Sequence, residues 1–178
     1  MCMPEICRLL AGTEDVTKVW ICVIFFPSDF ISGGELLCGS CYKLFPSPEN
    51  WNNAQANCNS FGAQLVKIES SEENDFLTKT FLTASMVTYW VGLSDQENES
   101  EWIWADGSPL GNYTNWGDSN PNNSYGNQNC GHISKGSFQL TLRYGGYAWR
   151  YFFNGYNGEW NDLECYAHLG YICEQSSP

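Results

Sequence analysis

The chain has 178 residues, 43% of them apolar and 16% aromatic, with eight tryptophans and a formal net charge of -12. That length supports one domain with its own core, and so many aromatic rings must be buried or face a ligand, which excludes a disordered chain. The negative charge excludes a basic groove for nucleic acid and attraction to an anionic membrane.

Residues 1–37 stand apart from the rest. VWICVIFF at 19–26 resembles the apolar part of a signal peptide, with SDFISGG behind it. Eight residues cannot span a bilayer, and the preceding MCMPEICRLLAGTED carries three acids instead of a basic start. The segment reads as a leader or an N-terminal extension, and residues 38–178 as the domain.

CYKLF (41–45) reads as a strand that PSP breaks, with Ser47 as N-cap and Pro48 at the first helical position. Trp51, Ala54 and Cys58 then share one helix face, and Gly62 is a natural stop. QLVKI (64–68) alternates like a half-buried strand. Ser70 and Glu73 form a capping box for a second helix, with Phe76, Leu77, Thr80 and Phe81 facing inward. TYWVGL (88–93), EWIW (101–104), NCGHI (129–133) and LGYICE (169–174) read as further strands. Between them, residues 105–129 are rich in Gly, Asn, Ser, Asp and Pro; a loop of that length in a compact domain is usually functional or disordered, and the flanking cysteine and Trp116 favour an ordered one. Two early helices, short strands and one long polar loop give an α+β domain.

Nine cysteines (Cys2, Cys7, Cys22, Cys38, Cys41, Cys58, Cys130, Cys165 and Cys173) and three sequons at Asn98, Asn112 and Asn122 point to secretion and disulfides. Zinc would need paired Cys/His clusters, and one CxxC with two histidines does not supply them. No serine or cysteine nucleophile comes with a recognisable base, and no carboxylate pair has glycosidase context, so an enzyme is not expected. His132 and His168 read as packed or surface residues.

Two polar clusters are candidates for chemistry. One is Asn120, Asn122, Asn123, Gln128 and Asn129; the other is Asn161 with Asp162. If Cys130 pairs with Cys165, the two meet as an oxygen-rich patch suited to a hard cation such as calcium. The alternative is that both are turns, which Asn and Asp populate for backbone reasons alone.

WVGL (90–93), WNDLEC (160–165), YICE (171–174), the helix 51–58 and the pattern Trp116, Pro121, Asn122 resemble the signature of the C-type lectin-like domain, over residues 38–175. The resemblance implies two helices with two small antiparallel sheets, Cys58 bonded to Cys173, Cys130 bonded to Cys165, the termini side by side, and a long loop carrying the ligand. Cys38 and Cys41 are too close for the family's N-terminal hairpin bridge, so Cys41 is open to pairing upstream with Cys22 or Cys7.

In sugar-binding members a calcium ion is held by the loop and the W-N-D turn, beside a cis proline. Carried over, the metal set is Asn120, Asn122, Gln128, Asn161 and Asp162. A second possible set is Asp95, Glu99, Asn123 and Asn129, with Gln128 shared. Asn120, Gln128, Asn123 and Asn129 are amides where the family favours acids or glutamine, and Asn-Pro-Asn matches neither the mannose nor the galactose triplet. Carboxylates do most to offset calcium dehydration, so binding is expected to be weak, on the order of 10⁻⁴ to 10⁻³ M, or absent. A glycan on Asn122 would remove it as a ligand.

Trp90, Trp102 and Trp104 read as core, while Trp116 in the loop is a candidate for stacking on a sugar face. Residues 135–155 carry Phe138, Tyr144, Tyr147, Trp149, Tyr151, Phe152 and Phe153 with Arg143 and Arg150, a mix suited to a protein partner or to an elongated hairpin packed on its own sheet. The expectation is a secreted glycoprotein lectin, binding glycans with calcium. The alternative is a calcium-independent module of the same fold that binds protein, matrix, or a mineral or ice surface.

Overall fold

The computed structural model describes Asp15 and residues 17–23, 39–144 and 147–176, with backbone alone for 138–140, 142–144 and 147–155. The elements are β1 (Ile21–Val23), β2 (Ser40–Glu49), α1 (Trp51–Ser60), β3 (Gln64–Leu65), α2 (Ser71–Phe81), β4 (Val87–Ser94), β5 (Ile103–Trp104), β6 (Cys130–Tyr144), β7 (Tyr147–Leu163) and β8 (Leu169–Ser176). The α+β expectation holds. The two antiparallel halves are joined into one mixed sheet, ordered β1-β2-β8-β4-β6-β7, with β3 on β8 and β5 on β4. The join is the parallel pairing of β4 with β8 at Tyr89↔Gly170 and Trp90↔Tyr171.

Trp51, Ala54 and Cys58 bury one face of α1, as their spacing predicts. The helix starts later than Ser47, however. Asn50 is the N-cap, and its Oδ1 accepts from Asn53 N at 2.9 Å. Pro46 and Pro48 do not end β2; they fall where the β2–β8 ladder shifts register between Phe45 and Glu49, the place in a strand where a missing N–H costs least. Gly62, at φ +69°, closes α1 as expected.

Ser70 Oγ caps α2 by accepting from Glu73 N at 3.2 Å, and the Glu73 carboxylate accepts from Glu69 N at 2.9 Å, one residue earlier than the usual box. Leu77 and Phe81 are buried, but Thr78 takes the inward place expected of Thr80. The reason is a polar seam with β7. Asn74 Nδ2 donates to Gly158 O at 3.1 Å, and at Gly158 (φ +94°) a Cβ would overlap Thr78 Oγ1.

Two apolar clusters form the core, one around α1 with Leu65, Trp90 and Tyr171, the other around α2 with Val91, Leu93, Trp104 and Trp160. Three of the buried indoles donate to an acceptor, Trp51 to Val91 O, Trp90 to Glu49 O and Trp160 to Asn74 Oδ1, at 2.8–2.9 Å. Trp102 is only half-buried. Cys58–Cys173 and Cys130–Cys165 are bonded as the resemblance implies, and Cys41 is bonded to Cys22. Cys2, Cys7 and Cys38 lie outside the described residues, as does most of the expected leader; Ile21 and Val23 pack on the second cluster.

The insert 135–155 continues β6 into β7 as one antiparallel hairpin, paired from Cys130↔Leu163 to Tyr144↔Tyr147. The side chains of its seven aromatics and of Arg143 and Arg150 lie outside the description.

Candidate functional site

The long loop is sewn along the W-N-D strand before it reaches the candidate ligands. Trp116 pairs with Trp160 as an isolated parallel bridge, with Gly117 N donating to Trp160 O and Trp160 N to Asn115 O, both at 2.8 Å. Asn115 Nδ2 adds a bond to Gly158 O at 2.8 Å. The Trp116 ring lies edge-on to Trp102 (4.9 Å between centroids) and to Trp160 (5.8 Å), so it is held against two other indoles. Tyr113 also meets the Trp160 ring, at 5.8 Å. Tyr113 and Asn115 escaped the sequence reading because neither matches a ligand motif.

Beyond this seam the chain turns through a cis Asn120–Pro121 bond and folds onto Asp162. Both Asp162 oxygens accept from Asn122 N at 3.0 Å, and Oδ2 also accepts from Asn123 N at 2.6 Å. Asn122 Nδ2 donates to Asn120 Oδ1 at 2.5 Å, and Asn120 Nδ2 donates to Tyr156 OH at 2.9 Å. Gln128 Oε1 accepts from Ser124 N at 2.9 Å, and Asn123 Oδ1 accepts from Gln128 N at 3.0 Å. Asn161 is buried, with Nδ2 on the Asp162 carbonyl at 2.8 Å and 3.3 Å from His132 Nε2. Of the first set, Asn122 thus meets the Asp162 carboxylate directly through its backbone, Asn120 is joined to it through Asn122, Gln128 through Asn123, and the Asn161 side chain turns to the Asp162 carbonyl and His132. Tyr156 and His132, which touch them, are additions; no spacing rule pointed to either.

The second set is adjacent. Asp95 N donates to Asn129 O at 3.2 Å, and Asp95 Oδ2 accepts from Ser100 N at 2.8 Å. Asp95 Oδ1, Asn129 Oδ1 and Gln128 Nε2 are buried with no hydrogen-bond partner. Glu99 is exposed, and its charge acts on both Asp95 and Asp162.

Burial pushes the Asp162 carboxyl above the usual carboxylate range, against the N–H bonds from Asn122 and Asn123. Burial does the same to Asp95, reinforced by the charges of Glu99 and Asp162. Among the described residues, none of these three acids is in an ion pair. His132 is fully buried, and burial lowers its pKa to about 3, so the ring is neutral at ordinary pH. His168 is exposed.

Residues 47–175 match the family described as Lectin C-type domain. The chain belongs to the C-type lectin family. This C-type lectin domain is 35% identical over 139 residues to a perlucin-like protein of Mytilus galloprovincialis, covering 75% of each chain. It is 30% identical over 146 residues to an alpha-N-acetylgalactosamine-specific lectin of Patiria pectinifera, covering 78% of this chain and 76% of that one. Among solved structures, the cow C-type carbohydrate-recognition domain of CD23, determined in the presence of a GlcNAc2Man3 oligosaccharide, superposes with a TM-score of 0.61 at 30% identity, covering 83% of this chain and 98% of that one.

C-type lectin domains often bind calcium. Among the described residues, no group of three or more His, Cys, Asp or Glu side chains forms a metal cluster. The candidate sets instead mix carboxylates with amides. Their donors are hard oxygens, two of them buried without a partner, beside acids that have no ion pair among the described residues, and that is chemistry a divalent cation fits. The set around Asp162 fits less well, because its carboxylate already carries backbone N–H bonds. Among the described residues, no helix is long and apolar enough to cross a membrane.

Proposed function

We propose that the chain is a secreted, glycosylated lectin that binds sugar at the loop 105–129 with weak assistance from calcium. The observation that carries this reading is the pair of buried acids, Asp95 and Asp162, beside unpartnered oxygens at Asp95 and Asn129 and with no ion pair among the described residues to neutralise them. Buried uncompensated charge is costly, and a bound cation offsets it. Asp95, Glu99, Asn123, Gln128 and Asn129 would hold one ion; Asn120, Asn122, Gln128, Asn161 and Asp162 would hold another next to the sugar. When bound, calcium supplies open coordination positions for neighbouring hydroxyls. The amides of Asn120, Asn122 and Asn161 donate to and accept from those hydroxyls, and Asp162 holds the loop that presents them. We assign Trp116 to anchoring that loop through Trp102 and Trp160 in preference to stacking on the sugar. The sugar-binding names of the Patiria relative and the cow domain support the ligand class, and no catalytic step belongs to this reading.

One observation favours a second reading. Asn122 N and Asn123 N already close the loop on Asp162, so the fold needs no ion to keep its shape. A calcium-independent module would then present the loop, or the 135–155 hairpin, to protein, matrix, mineral or ice. Calorimetric titration with calcium, followed by passage over mannose and galactose columns, separates the two. Binding heat and calcium-dependent retention, both lost in Asp162→Ala, support the lectin; no heat and no retention sink it.

A further inference from the structure

We propose that His132 is a positioning residue for the loop site, the middle of a one-way hydrogen-bond chain that holds the Asn161 carboxamide oxygen away from the ring. The buried ring of His132 sits behind Asn161 on the neighbouring strand, the two residues facing each other across the β6–β7 ladder. Its Nδ1 is 2.8 Å from Thr88 Oγ1 and 2.9 Å from Ser134 Oγ. Ser134 Oγ donates to Thr88 Oγ1 at 3.1 Å, and Thr88 Oγ1 donates to Ile133 O at 3.3 Å. A backbone carbonyl only accepts, so where Thr88 gives its one hydroxyl proton to Ile133 O, Ser134 gives its own to Thr88. Neither hydroxyl then has a proton left for Nδ1. In that arrangement the ring nitrogen is the donor, and the neutral imidazole carries its proton on Nδ1.

The other end of the chain requires the same. Asn161 Nδ2 lies 2.8 Å from the Asp162 carbonyl and 3.3 Å from His132 Nε2. The carbonyl accepts, so the amide nitrogen must face it. A proton on Nε2 would oppose that amide donor to donor, whereas a bare Nε2 accepts its second hydrogen. Both amide hydrogens are thereby engaged inside the protein. The Asp162 carbonyl thus sets the tautomer from the Asn161 end, and the hydroxyl arrangement at Thr88 and Ser134 agrees with it.

The functional consequence rests on the lectin reading above: Asn161 meets a cation or a hydroxyl as an acceptor because its nitrogen is already engaged. Partners behind a ligand typically change metal affinity by about 10- to 100-fold when removed.

The test separates the two claims. In calcium-free protein labelled with ¹⁵N-histidine, at neutral pH and with His168→Gln used for assignment, long-range ¹H–¹⁵N spectra should show the His132 proton on Nδ1. A proton on Nε2 overturns the proposal whether or not calcium ever binds. The second arm compares His132→Gln, whose Oε1 can still accept from Asn161, with His132→Leu, which cannot. The Leu variant should lose the hydrogen-bonded position of the Asn161 side-chain amide signals and weaken calcium binding by about 10- to 100-fold. The Gln variant should keep the amide signals and stay close to the parent affinity. Equal losses in both would reduce His132 to a core residue and end the positioning claim. If the parent protein binds no calcium, the lectin reading fails, and the tautomer and amide signals still decide the chain.

Discussion

Residues 50–60 and 119–130 have the same polar inventory, five asparagines and one glutamine each, and the molecule treats them in opposite ways. In the first stretch the amides serve a helix. Asn50 caps it, Gln55 Nε2 donates to Asn59 Oδ1 at 3.1 Å, and Gln55 Oε1 accepts from Leu65 N at 2.8 Å. The position of that helix is set by Trp51, Ala54 and Cys58 beneath it. In the second stretch there is no apolar face. Asn122 and Asn123 give backbone N–H groups to Asp162, the amides of Asn120 and Gln128 face their own neighbours, and one side-chain atom each of Gln128 and Asn129 is buried without a partner. The contrast shows that composition does not assign amides to structure or to a site. An apolar stripe at helical spacing does, because it fixes the backbone without them.

That contrast can be broken from either side. The largest effect should come from the helix flank. Replacing Cys58 and Cys173 together by alanine opens a crosslink between residues 115 positions apart, which should cost roughly 5 kcal/mol of stability in the chain-entropy account. Chemical denaturation read by tryptophan fluorescence measures it, and a loss too small to detect would mean that the apolar stripe alone holds α1. On the loop side, Asp162→Ala removes the acceptor of two backbone N–H groups. It should cost about 2 kcal/mol and open residues 119–129 to limited proteolysis, while hydrogen exchange in α1 stays at the parent rate. Equal loosening of both regions would dissolve the distinction.

Glu73 supplies a titration that belongs to the body and not to the loop. Burial raises its carboxyl from 4.5 to about 7, against bonds from Glu69 N and Tyr42 OH, with the charges of Glu174 and Glu69 adding to the rise. The folded state therefore holds this proton more tightly than the unfolded chain. Its contribution to stability is complete below about pH 4.5 and is lost as pH rises through about 7. Unfolding free energy should fall by roughly 3 kcal/mol across that window and flatten in Glu73→Gln. A Gln variant with the parent pH profile would assign the dependence to other carboxyls. The smallest effect should be Asn50→Ala, about 1 kcal/mol from the lost cap, measurable as a lower unfolding midpoint with loop proteolysis unchanged.

The legible parts of the sequence were those in which side-chain spacing and backbone need agree. Trp51, Ala54 and Cys58 marked α1, Ser70 with Glu73 marked the start of α2, and the family resemblance supplied two of the disulfides. The misread parts involve polar groups doing apolar work. Thr78 is buried in place of Thr80 because Asn74 and Thr78 face Gly158, a polar seam that a hydrophobic count does not see. Ser47 lost the cap to Asn50 because β2 runs on past its prolines at a register shift. VWICVIFF was read only for its apolarity, and part of that apolarity serves an edge strand packed on the core. For the site, the candidate ligands could be assembled from motifs, but their partners could not. His132 and Tyr156 touch them through strand pairing and a long hairpin, and no local spacing encodes either.

The bond between Cys22 and Cys41 ties β1 to β2 across a 19-residue separation. A protease that cuts once anywhere between those two cysteines divides the polypeptide without releasing either piece. The nicked molecule would migrate as intact protein until a reducing agent is added. Such processing would create a new amino terminus while the edge strand upstream stays covalently attached, so the mature form has to be read from reduced and unreduced samples side by side.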